Sequence, residues 1–409
     1  MEIKPFQVDG ADIVEDDDNI LHQSQIYPLF LKIFGSKNIK LEEKSGFVPQ
    51  MIVRGKYAIV ARNLSYLGYD KGNDDYRQEK KRIQIPSNIT NNIQDNLKRN
   101  LRMFYVGIYS YEKEKDYLYV LFDSNSYSKN GKNASKHVSV FDLLSARRKG
   151  YFFKLDKNDN RIYILNRHNL YDFLMNDDSD VAEQSEGEYQ LLQYLKRFWD
   201  DIPEDLKGEE CYREMFDAAY AKTFETEWIG FYHEYLFENY LNKNNTDLVE
   251  IYGDKKRNGI DIDLKVNIGE NFYADLKADN EEFGVQGNKK ETIEHILDNE
   301  GHIWYIVAAF SDVVMDEVLN YETCKCFNEL LEINSIDKRI NTSAKPKNNH
   351  NFKNKLKLKR FYVLDINSAN RKYLENYVQG KNSNSKARGL KIKITKKILD
   401  EFKIFDYKK

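Results

Sequence analysis

The chain has 409 residues, with 63 Lys or Arg against 66 Asp or Glu and a formal net charge of −3, which leaves room for two or three domains with a substantial core. No apolar run approaches the length of a membrane span, and the opening residues, Met1 to Val8, lack the apolar stretch of a signal peptide. Three cysteines, Cys211, Cys324 and Cys326, exclude a disulfide framework and a four-ligand zinc site, so the expectation is a cytoplasmic protein with reduced thiols.

In chain order, an acidic stretch at 15–18 precedes a region in which 51–61, 103–111, 116–122, 150–155 and 161–165 read as strands. Asn158-Asp159-Asn160 supplies a turn between the last two, and 140–148 reads as a helix. The segment 66–82 mixes Tyr, Lys, Arg, Gly and Asn, and reads either as a DNA-reading loop or as an ordinary surface loop. Residues 1–176 are expected to form a separate mixed α/β module for target recognition or dimerisation. Residues 177–188, with Asp177, Asp178, Asp180, Glu183 and Glu186, read as an exposed acidic linker. A helix follows at 189–199, with Leu191, Leu192, Tyr194, Leu195 and Phe198 at apolar spacing.

The segment 225–242 reads as a helix with Trp228, Phe231, Tyr232, Tyr235, Leu236 and Leu241 on a broad apolar side, and 248–251 as a short strand. His233 on that helix reads as a packed side chain. Two alternating runs then flank a Gly269-Glu270-Asn271 turn. Ile262, Leu264, Val266 and Ile268 are answered by Phe272, Ala274 and Leu276 on one face; Asp261, Asp263, Lys265 and Asn267 are answered by Tyr273, Asp275 and Lys277 on the other. Loop length decides which acids meet. A five-residue loop, Asn267 to Asn271, sets Asp261 opposite Lys277 and diagonal to Asp275; a three-residue loop slides Asp263 into that place. Downstream, 288–299 reads as a helix. The run Ile303 to Phe310 is too short for a membrane and suits a strand buried on both faces.

The polar face of this hairpin suits a divalent metal. Mg²⁺ prefers hard oxygen ligands and takes one or two carboxylates, which Asp261 and Asp275 would supply, with the Leu276 carbonyl as a further ligand and Asp263 as the alternate acid. Lys277, two residues from Asp275, points the same way. It is placed to orient or deprotonate an attacking water and to offset charge on a phosphorane.

Gly259-Ile260-Asp261, a gap, and then Asp275-x-Lys277 resemble the PD-(D/E)xK nuclease superfamily, whose best-known members are type II restriction endonucleases. Ile260 stands where the motif has proline, and the second acid is Asp rather than Glu. The resemblance covers roughly 225–310. It implies an α/β (α+β) fold whose C-terminal core is a mixed sheet flanked by helices, with Asp261 and Asp275 as the acids and Lys277 as the lysine. It also implies a glutamate on the first helix facing the metal; Glu234 fits, with Glu227 and Glu238 near the same face. The implied activity is Mg²⁺-dependent hydrolysis of double-stranded DNA to 5′-phosphate ends, with Mn²⁺ able to substitute, in a type II restriction enzyme working as a homodimer beside a cognate DNA methyltransferase. The alternatives are a repair or phage-defence nuclease of the same superfamily without a palindromic site, and a non-catalytic DNA-binding protein on a decayed nuclease fold. On this reading 189–337 is the nuclease core.

From Lys338 to Lys409 there are 21 basic and 5 acidic side chains, a charge of +16, while the remainder carries −19. That asymmetry predicts a DNA-contacting end, with Lys355, Lys357, Lys359 and Arg360 in one cluster and Lys381, Lys386 and Arg388 in another.

Overall fold

The computed structural model describes residues 4–66, 78–111, 117–124, 134–252, 262–280, 284–316, 322–348, 351–378 and 389–408. The fold is mixed α/β, and the chain divides into two compact units, Met1–Tyr189 and Gln190–Lys409.

The first unit is built on a seven-stranded mixed sheet in the order Tyr151–Leu155, Arg161–Leu165, Leu118–Asp123, Arg102–Tyr109, Tyr57–Asn63, Gln50–Val53, Ile39–Glu42. Only Tyr57–Asn63 and Arg102–Tyr109 run parallel among its pairs. The stretch 51–61 is therefore two strands rather than one. Arg54 and Gly55 both take positive φ, and Lys56 N donates to Val53 O at 3.0 Å, which turns the chain into a hairpin. A smaller sheet pairs Ala134–Ser139, Lys80–Ile85 and Ser65–Tyr66, so 66–82 ends in strand; its residues 67–77 lie outside the described residues.

In the acidic stretch at 15–18, Asp18 pairs with Lys81, a fully buried lysine, and so anchors a strand. The expected linker is largely helix: Asp180–Asp201 runs for 22 residues, and the division between units falls inside it. Its acids are used at the helix start, where negative charge is favourable, and in contacts, with Glu186 pairing Arg161 at 2.7 Å and Glu188 accepting from the Tyr151 hydroxyl.

In the second unit, α1 (Trp228–Lys243), β1 (Val249–Ile251), β2 (Leu264–Val266), β3 (Phe272–Asn280), α2 (Lys290–Asn299), β4 (His302–Met315) and β5 (Lys353–Asn367) follow in that order. The sheet runs Asp205–Lys207, β5, β4, β3, β2, β1, with Lys403–Lys408 also on β5. β1, β2 and β3 are an antiparallel meander; β4 lies parallel to β3 because α2 carries the chain back across the sheet. Helix α1 buries Trp228, Tyr232 and Tyr235 at spacings of four and three, together with Ile229, His233 and Phe237. Strand β4 is buried continuously from Ile303 to Phe310, as its apolar run requires of a central strand covered on both faces. The three cysteines are free and buried. Among the described residues no helix is long and apolar enough to cross a membrane.

Candidate active site on the second-unit hairpin

Leu264 faces Ala274, Lys265 faces Tyr273 and Val266 faces Phe272, so five residues, Asn267 to Asn271, link β2 to β3, with Gly269 at a φ of 54° in the turn. Odd-numbered residues of β3 then share one face. Tyr273, on that face, packs against a cluster holding Tyr305, Val307 and Ile293, so Asp275 and Lys277 project on the α2 side of the sheet. The opposite face carries Ala274 and Leu276, both buried.

Strict alternation fails at the upstream end. Ile262 packs in the same cluster as Tyr305 and Val285 rather than with Leu264, because β2 begins only at Leu264 and the chain turns out of the ladder before it. With the five-residue loop the register itself, one step beyond the Leu264–Ala274 pair, sets Asp263 beside Asp275. The Asp263 N–H donates to Asp275 Oδ1 at 3.2 Å, and its own Oδ2 accepts from the Leu276 N–H at 2.9 Å. Asp261 lies outside the described residues.

Asp275 is only 2% exposed and pairs with Lys277, whose ammonium also lies 5.3 Å from the centre of the Tyr305 ring. Glu234 on α1 pairs with Lys222 from the preceding loop. These five side chains form one electrostatic group, with three carboxylates against two ammonium groups. Burial first, then the charges of Asp275 and Glu234, hold the Asp263 carboxyl well above the usual carboxylate range, against the pull of Lys277 and the Leu276 N–H. The Glu234 carboxyl is also raised, by burial foremost and by Asp275, while Lys222 and Lys277 oppose the shift. Burial works against the Lys277 charge, but Asp275, Tyr305 and Asp263 outweigh it and raise its pKa. The site therefore holds more negative charge than its lysines comfortably balance.

Of the two other helix acids, Glu227 is turned away to pair with Lys353, and Glu238 lies within 3.5 Å of the Tyr220 hydroxyl. His233 is buried and stacked on Phe198 with ring centres 5.8 Å apart; burial lowers its pKa to about 4, which keeps it neutral.

Three residues of this site carry no sequence signal as plain as the acids. Lys222 sits in a loop and reaches Glu234 across 12 positions. Tyr305 lies beside Asp275 in the parallel register, and its hydroxyl donates to Asn288 Oδ1 at 2.8 Å while accepting from Asn288 N–H at 3.1 Å. Gly287 is needed there, because a Cβ would come within 2.5 Å of that hydroxyl. Asp279, the next residue along the same face, accepts from the N–H groups of Gln286 at 2.8 Å and Asn280 at 2.9 Å; period-two spacing from Lys277 was the signal that marks it. Burial raises the Asp279 carboxyl to about 6, against the opposing N–H donors. A raised acid favours the protonated fold, so its contribution to stability falls as pH rises from 3.8 towards about 6 and is level above that. Asp279→Asn is expected to remove that step, which thermal melts of both proteins between pH 4 and 7 will measure.

The basic strand is more internally neutralised than its sequence suggests. Lys357 pairs with Asp205 at 3.6 Å, Lys359 with Asp312 at 2.7 Å, and the Arg360 fork is engaged by Asp406. Lys355 is exposed. Lys381, Lys386 and Arg388 lie outside the described residues.

The acids suit a divalent cation. Asp263 and Asp275 lie beside each other, the Asp263 carboxyl is held above its ordinary pKa by burial first and then by the charge of Asp275, and a hard dication relieves both. Among the described residues no three acidic, histidine or cysteine side chains converge as a finished cage. Mg²⁺ does not need one, since it keeps several waters and takes one or two carboxylates.

A family model described as Methylase-associated X1 matches residues 55–174, within the first unit. That description suggests a restriction–modification context. No curated protein and no solved structure matches the chain.

Proposed function

We propose that the second unit is a PD-(D/E)xK-type nuclease and the chain a type II restriction endonuclease, cutting double-stranded DNA with Mg²⁺, or Mn²⁺ in its place. The observation that carries this is Asp263, one residue before β2, gathered with Asp275 and Lys277 of the neighbouring β3, in the order helix, three-stranded meander, helix, parallel strand. Asp275 would hold the ion together with Asp263 or Asp261, the Leu276 carbonyl adding a further oxygen. When bound, the ion polarises a phosphoryl oxygen and makes hydroxide available near neutral pH.

The chain's own groups do the rest. Lys277, kept protonated by its acidic neighbours, donates to the water or to the phosphoryl oxygen and offsets the charge that grows there. Tyr305 backs the lysine and limits its freedom. Glu234, pinned by Lys222, borders the site from α1 and acts on it through its charge, which Asp275 and Lys277 both feel. In-line attack then leaves 5′-phosphate and 3′-hydroxyl ends.

The first unit is proposed to serve target recognition or dimerisation, Lys355, Lys357 and Lys359 to meet DNA phosphates, and a cognate DNA methyltransferase and a second copy of the chain to be the partners; the Methylase-associated X1 match supports the methyltransferase. Digestion of long phage DNA with purified protein and Mg²⁺ tests the restriction reading. Discrete fragments with ligatable 5′-phosphate ends are expected. A smear would leave a nuclease without a fixed site, and uncut DNA would end the proposal.

A further inference from the structure

The first unit contains a cleft of about 570 Å³ with a distinct chemistry. Arg82 and Gln84 alternate with Lys81, Ile83 and Ile85 along one strand, the latter three being buried. Ser65 lies opposite Arg82, and Ser135 opposite Gln84, on the two flanking strands. Arg62, from the neighbouring Tyr57–Asn63 strand, lines the same cleft. The strand is firmly seated from behind, since Lys81 pairs with Asp18 and Asp18 also accepts from the Tyr66 N–H.

Arg62 and Arg82 are both half-buried, and among the described residues neither meets a carboxylate or any other hydrogen-bonding partner. Among the described residues the remaining polar lining is neutral, and no acid lines the cleft. Two partly desolvated guanidinium groups lining one cleft, with no counter-charge among the described residues, are unfavourable unless a ligand supplies it. Their planar forks match phosphate oxygens in pairs, and serine hydroxyls and a glutamine amide add neutral hydrogen bonds around them. The volume exceeds what a free phosphate ion needs and leaves space for an attached sugar.

We infer that this cleft binds a phosphate group, and that the backbone of duplex DNA supplies it. The cleft stands on its own geometry; only the choice of DNA as the source rests on the nuclease reading. Arg62, Arg82 and Ser135 all fall within the Methylase-associated X1 match, so the inference gives that domain a physical task, gripping a phosphate.

The test uses the full chain with Ca²⁺ in place of Mg²⁺, and reads binding of a fluorescently labelled duplex by anisotropy at several salt concentrations. Arg62→Gln with Arg82→Gln is expected to weaken binding at least about tenfold and to reduce the log–log salt slope by about 1, the share of one phosphate contact. Among the described residues neither arginine side chain holds a hydrogen bond, so circular dichroism and the melting temperature should be unchanged, and Arg→Lys at both sites should keep most of the salt slope. In a parallel arm, ATP and inorganic phosphate are added to the wild type and the double variant, and melting is followed. Stabilisation of the wild type alone by ATP, with DNA affinity unaltered in the variant, supports the phosphate cleft and overturns DNA as its source. No change in DNA affinity, salt slope or response to ATP and phosphate overturns the cleft altogether. Cleavage by Asp275→Asn is read separately, so the failure of the cleft and the failure of the nuclease assignment are distinguishable.

Discussion

Asp275→Asn is expected to reduce DNA cleavage by at least about 10³-fold, roughly 4 kcal/mol of transition-state stabilisation, while the protein stays folded and still binds DNA in Ca²⁺. The substitution keeps an acceptor for the Asp263 N–H, now at 3.2 Å from Asp275 Oδ1, and removes the charge that Lys277 and a divalent ion both need. It also removes the charge that, after burial, does most to raise the Asp263 carboxyl, and Lys277 keeps Asp263 as a counter-charge, so metal-free stability should largely hold. Single-turnover cleavage of a labelled duplex, with melting curves in EDTA, measures both parts. Running Asp261→Asn and Asp263→Asn beside it assigns the first acid: the hydrogen bonds of Asp263 to the Asp275 strand favour Asp263 for the larger loss.

Lys277→Met should be as damaging to activity and, unlike the first substitution, damaging to the metal-free fold. Among the described residues the lysine is the one cation paired with Asp275, and its loss leaves buried Asp275 and half-buried Asp263 without that counter-charge. Breaking a buried pair in this way costs about 3–5 kcal/mol. Added Mg²⁺ is expected to restore much of that stability, because the ion supplies the missing positive charge, yet not the activity. A variant that melts like the wild type in EDTA, or cuts at the wild-type rate in Mg²⁺, contradicts the role given to Lys277.

Much of the second unit was legible in the sequence. Alternation at Phe272 to Lys277 identified the polar face of β3, and the apolar run at Ile303 to Phe310 identified the central strand, because both are short-range consequences of side-chain period and burial. Asp263 enters the sequence reading only as the alternate acid of a three-residue loop, yet the five-residue loop, with Leu264 opposite Ala274, already carries Asp263 to a place beside Asp275. Lys222 and Tyr305 were hidden because each reaches the site only through tertiary packing.

Charge was the least legible property. The surplus of +16 after Lys338 reads as an open basic surface, yet Lys353, Lys357, Lys359 and Arg371 find acids at Glu227, Asp205, Asp312 and Asp298, all earlier in the chain. Such exposed pairs contribute little to stability and are readily exchanged for phosphates, so they lower the free charge without removing the surface. The helix at Asp180–Asp201 shows the same ambiguity in reverse: acids that read as a solvated connector instead suit a helix start, ahead of buried Leu191, Leu192, Leu195, Phe198 and Trp199.

The most direct test of the central claim is conversion of supercoiled plasmid by the purified chain, in Mg²⁺ and in EDTA, beside Asp275→Asn. Linear or multiply cut DNA with the wild type in Mg²⁺, and intact supercoils in the other lanes, is the result expected here. Intact plasmid throughout, or equal cutting by Asp275→Asn, would contradict it.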